Sequence, residues 1–160
     1  MRRVLILVEN LPSPFDRRVW QEACTLRDAG YEVSIICPTG PGCERRFESI
    51  DGVHIYRYRL PLEASGAAGY LLEYLCAIGW TFVLSLRVLF TRGFDVVQAC
   101  NPPDLLFLVG AFYKLLGKKF LFDHHDLCPE LYEAKFGRRD LYYRLLLALE
   151  RATFRAADAT

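Results

Sequence analysis

Two short stretches of this chain gather side chains that do chemistry. Asp123-His124-His125-Asp126-Leu127-Cys128-Pro129-Glu130 sets two histidines between two carboxylates. An imidazole changes charge near neutral pH, so these groups suit acid/base work, contact with a polar ligand or metal binding. A purely structural role fits the same residue types. Successive residues leaving a strand point in opposite directions, so at most one of the two histidines faces a given crevice. Adjacent histidines also make poor chelating geometry. The second stretch holds Glu9 and Asn10, then Ser13, then Arg17-Arg18. Arginine grips phosphate or carboxylate with two parallel N–H donors, and sixteen of the twenty cations are arginines. Solvated faces account for the other pairs, Arg2-Arg3, Arg45-Arg46 and Arg138-Arg139. Arg17-Arg18 is set apart by its position behind a strand.

Several functional classes are disfavoured by what is missing. After the first apolar run there is no G-x-G-x-x-G, and Thr39-Gly40-Pro41-Gly42 is followed by no Gly-Lys-Ser/Thr. A dinucleotide oxidoreductase and a P-loop NTPase are therefore disfavoured. The six cysteines, Cys24, Cys37, Cys43, Cys76, Cys100 and Cys128, form no C-x-x-C pair. They read as free, mostly buried thiols in a reducing compartment, without a zinc site. A net charge of +1 argues against a general nucleic-acid binder. The hydrophobic fraction of 52% directs attention to Gly69–Phe90. Its longest uncharged run, Tyr74 to Leu86, is 13 residues between Glu73 and Arg87, short of the ~20 needed to span a bilayer. Met1-Arg2-Arg3, five apolar residues and then Glu9 make no signal peptide, so a cytoplasmic location is expected.

The elements that must position these residues alternate between strand and helix. Val4-Leu5-Ile6-Leu7-Val8 is a continuous apolar run, as in a strand covered on both faces. Ser13 then reads as a helix N-cap, Pro14 as the first helical residue and Asp16 as the partner in a capping box. Phe15, Val19, Ala23 and Leu26 recur at helical spacing up to Gly30. Glu32–Cys37 is the second strand, Val53–Arg59 a third nearer the sheet edge, with His54 structural within it. A loop with Pro61 and Gly66 leads to a long apolar helix over roughly 69–91. Its apolar face suits core packing or docking on a membrane surface, aided by Trp80, Arg87 and Arg92. Asp95–Ala99 is the fourth strand, and Asn101-Pro102-Pro103-Asp104 reads as a second capped helix start, running to about Leu116. Lys118–Asp123 is the fifth strand, a loop leaves from His124, and Asp140 opens a last helix to about Ala156. The pattern implies a doubly wound α/β fold with a Rossmann-like parallel sheet in strand order 3-2-1-4-5. Ligands would meet it at the carboxyl ends of strands 1 and 4.

Taken together, these pieces resemble the N-terminal domain of retaining glycosyltransferases of family 4, the first half of the two-domain GT-B fold. The resemblance is carried by Val8 to Ala23, by Leu26 to Pro38 with its L-x-x-x-G-Y-x-V-x-I pattern, by Phe94 to Asp104, by Phe120 to Glu130, and by Leu149 to Asp158. It covers essentially the whole of residues 1–160, and its nearest relatives look like bacterial transferases of cell-surface polysaccharide assembly. It implies transfer of a hexose or aminohexose from a nucleotide-sugar with retention, without a metal ion or other cofactor. In the family this domain binds mainly the acceptor, here a glycan or lipid-linked glycan, while a C-terminal domain absent from this sequence binds the donor. By position His125 matches the crevice histidine that orients the donor sugar and is the expected catalytic residue. Glu9, Asn10 and Ser13 match the acceptor-side wall, and Asn101, Asp126 and Glu130 join them as substrate-binding residues. Charge and place suggest Arg17 and Arg18 for the phosphate of a lipid-diphosphate acceptor. One departure is the loop itself: where the family has a glycine-rich turn, this chain has Glu9-Asn10-Leu11-Pro12. The implied setting is the inner face of the plasma membrane, with peripheral contact through residues 69–91 and no nucleic acid. The rivals are a non-catalytic binding or heteromeric subunit and a GT-B-fold nucleotide-sugar epimerase.

Overall fold

The structure is a computed structural model that describes residues 2–60 and 66–160, with side chains of residues 66–71 outside the description. Six strands form one sheet in the order β3-β4-β2-β1-β5-β6: β1 (Arg3–Leu7), β2 (Glu32–Pro38), β3 (Phe47–Ile50), β4 (Val53–Tyr58), β5 (Val96–Cys100) and β6 (Lys119–Asp123). Every pairing is parallel except β3 with β4. The five strands expected from sequence occur in the expected order. The addition is β3, an antiparallel edge strand that the sequence reading left as loop. Asp51 and Gly52 close its hairpin with φ of 48° and 81°, the left-handed pair that a two-residue hairpin turn demands.

Period-two geometry along β1 sends Val4, Ile6 and Val8 to one face and Leu5 and Leu7 to the other. On the first face α1 (Arg17–Asp28) covers the sheet with Val19 and Ala23. On the second, α2 (Gly66–Thr91) and α3 (Phe107–Leu115) cover it with Ala77, Val88, Val109 and Tyr113. Both faces are buried, which is why the parallel strands read as unbroken apolar runs. Each fully buried aliphatic side chain contributes roughly 1.5–3 kcal/mol against exposure. The Ser85 and Tyr113 hydroxyls, 2.7 Å apart, tie α2 to α3. Gly110 lets α3 press on β6, since a Cβ there would stand 2.5 Å from ring carbons of Phe120.

Three local expectations are corrected. Helix α1 begins at Arg17, and its N-cap is Asp16, whose carboxylate accepts from the Val19 amide at 3.2 Å. Ser13 does not cap it: the helix begins four residues later, the Ser13 hydroxyl meets no amide, and the Phe15 and Asp16 amides fold back on the Pro12 carbonyl. Asn101 and Pro102 do not open a helix: a 3-10 turn at Asp104–Leu106 precedes α3. The segment after His124 is not all loop, because α4 (Cys128–Phe136) forms between Pro129 in its first turn and Gly137, a left-handed C-cap at φ 65°. The last helix, α5 (Leu141–Ala156), is capped as expected by Asp140, which accepts from the Tyr142 and Tyr143 amides at 3.0 and 3.2 Å. The long helix starts earlier than expected and includes Gly66; Pro61 lies outside the described residues. His54 stacks on Phe47 and lies 2.9 Å from an Arg92 nitrogen. All six cysteines are free thiols.

Candidate functional site

The carboxyl ends of β1, β5 and β6 converge on one crevice, and the polar residues arrive there by different routes. Asp123 closes β6, and the next two residues diverge as strand geometry requires. His124 packs against Phe122 and Phe154, ring centroids 5.3 and 5.0 Å away, and its Nε2 lies 3.5 Å from Glu150 of α5. His125 turns the other way. Its Nδ1 is 4.0 Å from Asp123, its Nε2 is 3.9 Å from Asp126, and a guanidinium nitrogen of Arg18 stands 3.4 Å from that same Nε2. Arg18 reaches across from the first turn of α1 and pairs with Asp123. One imidazole thus sits between two carboxylates and one guanidinium, with its side chain 25% exposed.

Asn101, fully buried at the end of β5, fixes the path of this loop. Its Oδ1 accepts from the His125 and Asp126 amides at 2.9 and 3.2 Å, and its Nδ2 donates to the Asp126 carbonyl at 2.5 Å. Its amide group is therefore spent on protein backbone, and it serves the site by shaping it. The loop between β1 and α1 has an equivalent anchor. The Ser13 amide donates to Cys37 Sγ at 3.3 Å, and the Ser13 carbonyl accepts from Arg57 at 2.6 Å. Arg57 is fully buried yet paired, with Glu48 2.6 Å away and the Arg45 carbonyl at 3.1 Å, which is how an internal charge is tolerated. Ser13 is buried with its hydroxyl enclosed. It offers the crevice no free group, contrary to the expected substrate contact, because it lies beneath the loop.

Glu9 follows β1 and is buried. Removal from water, reinforced by the negative charge of Glu73, pushes its carboxyl up to about 7. The carboxyl is therefore balanced between neutral and charged at neutral pH and can donate as well as accept. Asn10 is exposed on the loop, and Arg17 is exposed with no ion pair among the described residues. Arg18, not Arg17, joins the histidine. Glu130, exposed in the first turn of α4, lines a cavity of about 380 Å³ with His125, Asp126, Leu127, Leu131 and Ala134. A second cavity, about 310 Å³, lies on the other side of the loop against Glu22, Asp123, His124 and Phe154.

Two members of this constellation, Gln98 and Glu22, were not singled out from sequence, and Asp123 was read only as one carboxylate of its cluster. Asp123 is the partner of both Arg18 and His125. Gln98 of β5 donates to both carboxylate oxygens of Glu22 at 2.9 Å, while burial pushes the Glu22 carboxyl up and that hydrogen bond opposes it. The available signals were a lone glutamine inside an apolar strand and a glutamate one turn beyond Arg18 on the same helix face. Among the described residues no three His, Cys, Asp or Glu side chains converge as a metal site.

A doubly wound, mostly parallel sheet with Arg18, Asp123 and His125 brought together at its strand ends has the form of a Rossmann-like half of the GT-B type. The chain belongs to the glycosyl transferase 4-like domain family, whose profile matches residues 16–160. Among solved structures it is similar to sucrose-phosphate synthase from Thermosynechococcus elongatus, with a TM-score of 0.71 and 15% identity over 99% of this chain. The chain spans 41% of that synthase. A second structure of the synthase gives a TM-score of 0.66 and 13% identity, covering 99% of this chain and 76% of that one. The C-terminal domain of a hydrogenase from Pyrococcus furiosus gives 0.57 and 16%, over 77% of this chain and 91% of that one. At such identities these likenesses speak for fold alone. No curated protein matches the chain in sequence.

Proposed function

We propose that this chain is the acceptor-side half of a retaining transferase. The complete enzyme moves a hexose or aminohexose from a nucleotide-sugar to a lipid-linked glycan during bacterial surface-polysaccharide assembly, in the cytoplasm at the membrane's inner face. One observation carries the reading: His125 is held at the crevice between Asp123, Asp126 and Arg18. In a retaining transfer the bond from the anomeric carbon to the leaving diphosphate breaks while the acceptor oxygen joins the same face, and the acceptor's hydroxyl proton passes to the departing phosphate oxygen. Charge resembling an oxocarbenium ion develops on the sugar. Positioning and electrostatics do the catalytic work. His125 orients the sugar, the two carboxylates set the imidazole's orientation and stabilise positive charge near it, and Glu9 meets the acceptor side with a carboxyl that can donate or accept. Arg18 contacts an anionic group of the acceptor by releasing part of its hold on Asp123. Leu127, Leu131 and Ala134 beside His125 suit an acceptor with an apolar portion. The donor's diphosphate is held by a second GT-B half, with no metal or other cofactor.

The test is His125→Ala in the complete enzyme. Turnover is expected to fall about 100-fold or more, the scale of a lost positioning group, with the melting temperature nearly unchanged. A parallel loss of stability would make the histidine structural, and unchanged turnover would refute the assignment.

A further inference from the structure

We propose that the outward face of α2 is an isologous interface on which two copies of this chain pair antiparallel, with Gly79 and Trp80 at the twofold axis. The inference goes beyond the transfer reading and does not depend on it. Leu72, Leu75, Val83 and Phe90 are exposed on one row of α2, Phe90 at 82%, and Gly79 lies within that row. At 100° per residue the row falls within an arc of about 80° and runs about 27 Å along the helix. Glu73, Trp80 and Arg87 form a second line at seven-residue spacing along one flank of it. An exposed apolar row of this length marks a contact surface.

Both lines are symmetric about one point. Glu73 and Arg87 stand seven residues either side of Trp80, Leu75 and Val83 four either side of Gly79, and Leu72 and Phe90 nine either side of Thr81. These three centres lie within about 3 Å of one another along the helix. A twofold axis across α2 at that point reverses the helix direction and keeps each flank on its own side. Glu73 of each copy then stands beside Arg87 of the other, Leu75 beside Val83 and Leu72 beside Phe90, while Trp80 meets Trp80. Opposite charges are paired twice, and the apolar row interleaves with itself.

Gly79 supplies an independent reason. Glycine in mid-helix weakens the helix relative to alanine, and within this copy nothing stands within 4 Å of the place its Cβ would take. The packing of the domain therefore does not call for a glycine, whereas two helices crossing there gain close approach. Charge selects the occupant. The charged neighbour of Glu73 is the like-charged Glu9, Arg87 leans on the Tyr56 ring at 6.0 Å, and neither meets an opposite charge among the described residues. An anionic bilayer would satisfy Arg87 and repel Glu73; a second copy satisfies both. Leu72–Thr91 is also long and apolar enough to cross a membrane, with a mean hydropathy of 1.6. However, Ala77, Thr81, Ser85 and Val88 are buried against the domain and hold the helix on its surface.

The experiment is sedimentation velocity of the 160-residue chain over a concentration series, with a parallel co-sedimentation assay on vesicles of phosphatidylcholine and phosphatidylglycerol. A monomer–dimer equilibrium in the micromolar range is expected, since one helix per copy is a small contact. Arg87→Glu should weaken it about tenfold or more by setting like charges together, and Arg87→Glu combined with Glu73→Arg should restore it. Gly79→Leu should also weaken the dimer about tenfold with unchanged circular dichroism, because the added side chain meets open space in a single copy. The same substitution would strengthen binding to a bilayer, so its sign separates the two occupants. If Gly79→Leu fails to fold, the charge reversal decides alone. A monomer at every concentration up to about 100 µM overturns the proposal. So does a dimer indifferent to Arg87→Glu or to a folded Gly79→Leu, or one that the double variant leaves unrestored. Vesicle binding by the monomer that Gly79→Leu raises assigns the face to lipid and equally overturns it.

Discussion

Glu9 couples the fold to pH. Burial and the neighbouring Glu73 push its carboxyl up from 4.5 to about 7 in the native fold. Below the lower value both states hold the proton, so native stability is intact. As pH rises through this window the unfolded chain ionises first, and stability falls by about 3 kcal/mol until the native carboxyl also ionises. Glu9→Gln removes this dependence. The variant should match the parent near roughly pH 4 and exceed it by about 2–3 kcal/mol near pH 8, read by urea unfolding at each pH; parallel curves would mean that Glu9 is solvated. Sequence revealed His125, Asp126, Glu9 and Arg18 because each flanks a recognisable strand end or helix start. It did not reveal that Asp123 joins Arg18 to His125, or that Gln98 holds Glu22. Those meetings depend on how α1 crosses the ends of β5 and β6, over separations of 105 and 76 residues.

At the level of elements, the five parallel strands were legible because both faces are covered, leaving apolar runs bounded by turns. Strand β3 was not, being four residues with alternating exposure, although Asp51-Gly52 announced its hairpin. Helix α4 escaped because it buries only Pro129 and so shows no apolar stripe; its signals were Pro129 and Gly137 at the two ends. Packing between elements gives a sharp test at Gly110. An alanine there gains about 1 kcal/mol of helix propensity, but its Cβ would meet the Phe120 ring, which is fully buried and has nowhere to retreat. Overpacking of this kind costs about 1–3 kcal/mol. Gly110→Ala should therefore destabilise the chain by up to about 2 kcal/mol in urea unfolding; a gain would show that α3 can lift from β6.

For the whole molecule, one GT-B half presents a crevice with a single wall. Incubated with nucleotide-sugars and acceptor lipid, residues 1–160 alone should show no turnover, because in the proposed reading a second GT-B half grips the donor diphosphate; detectable transfer would refute the division of labour. The wall itself is built in an adaptable way. Asn101 grips the main chain of residues 125 and 126 and also approaches Cys128 Sγ at 3.9 Å, so the backbone at those two positions is held independently of the side chains they carry. Libraries randomised at 126, with Asn101, His124 and His125 retained, should keep folding, read by urea unfolding. The same arrangement would let relatives diverge in chemistry without rebuilding the strand ends beneath.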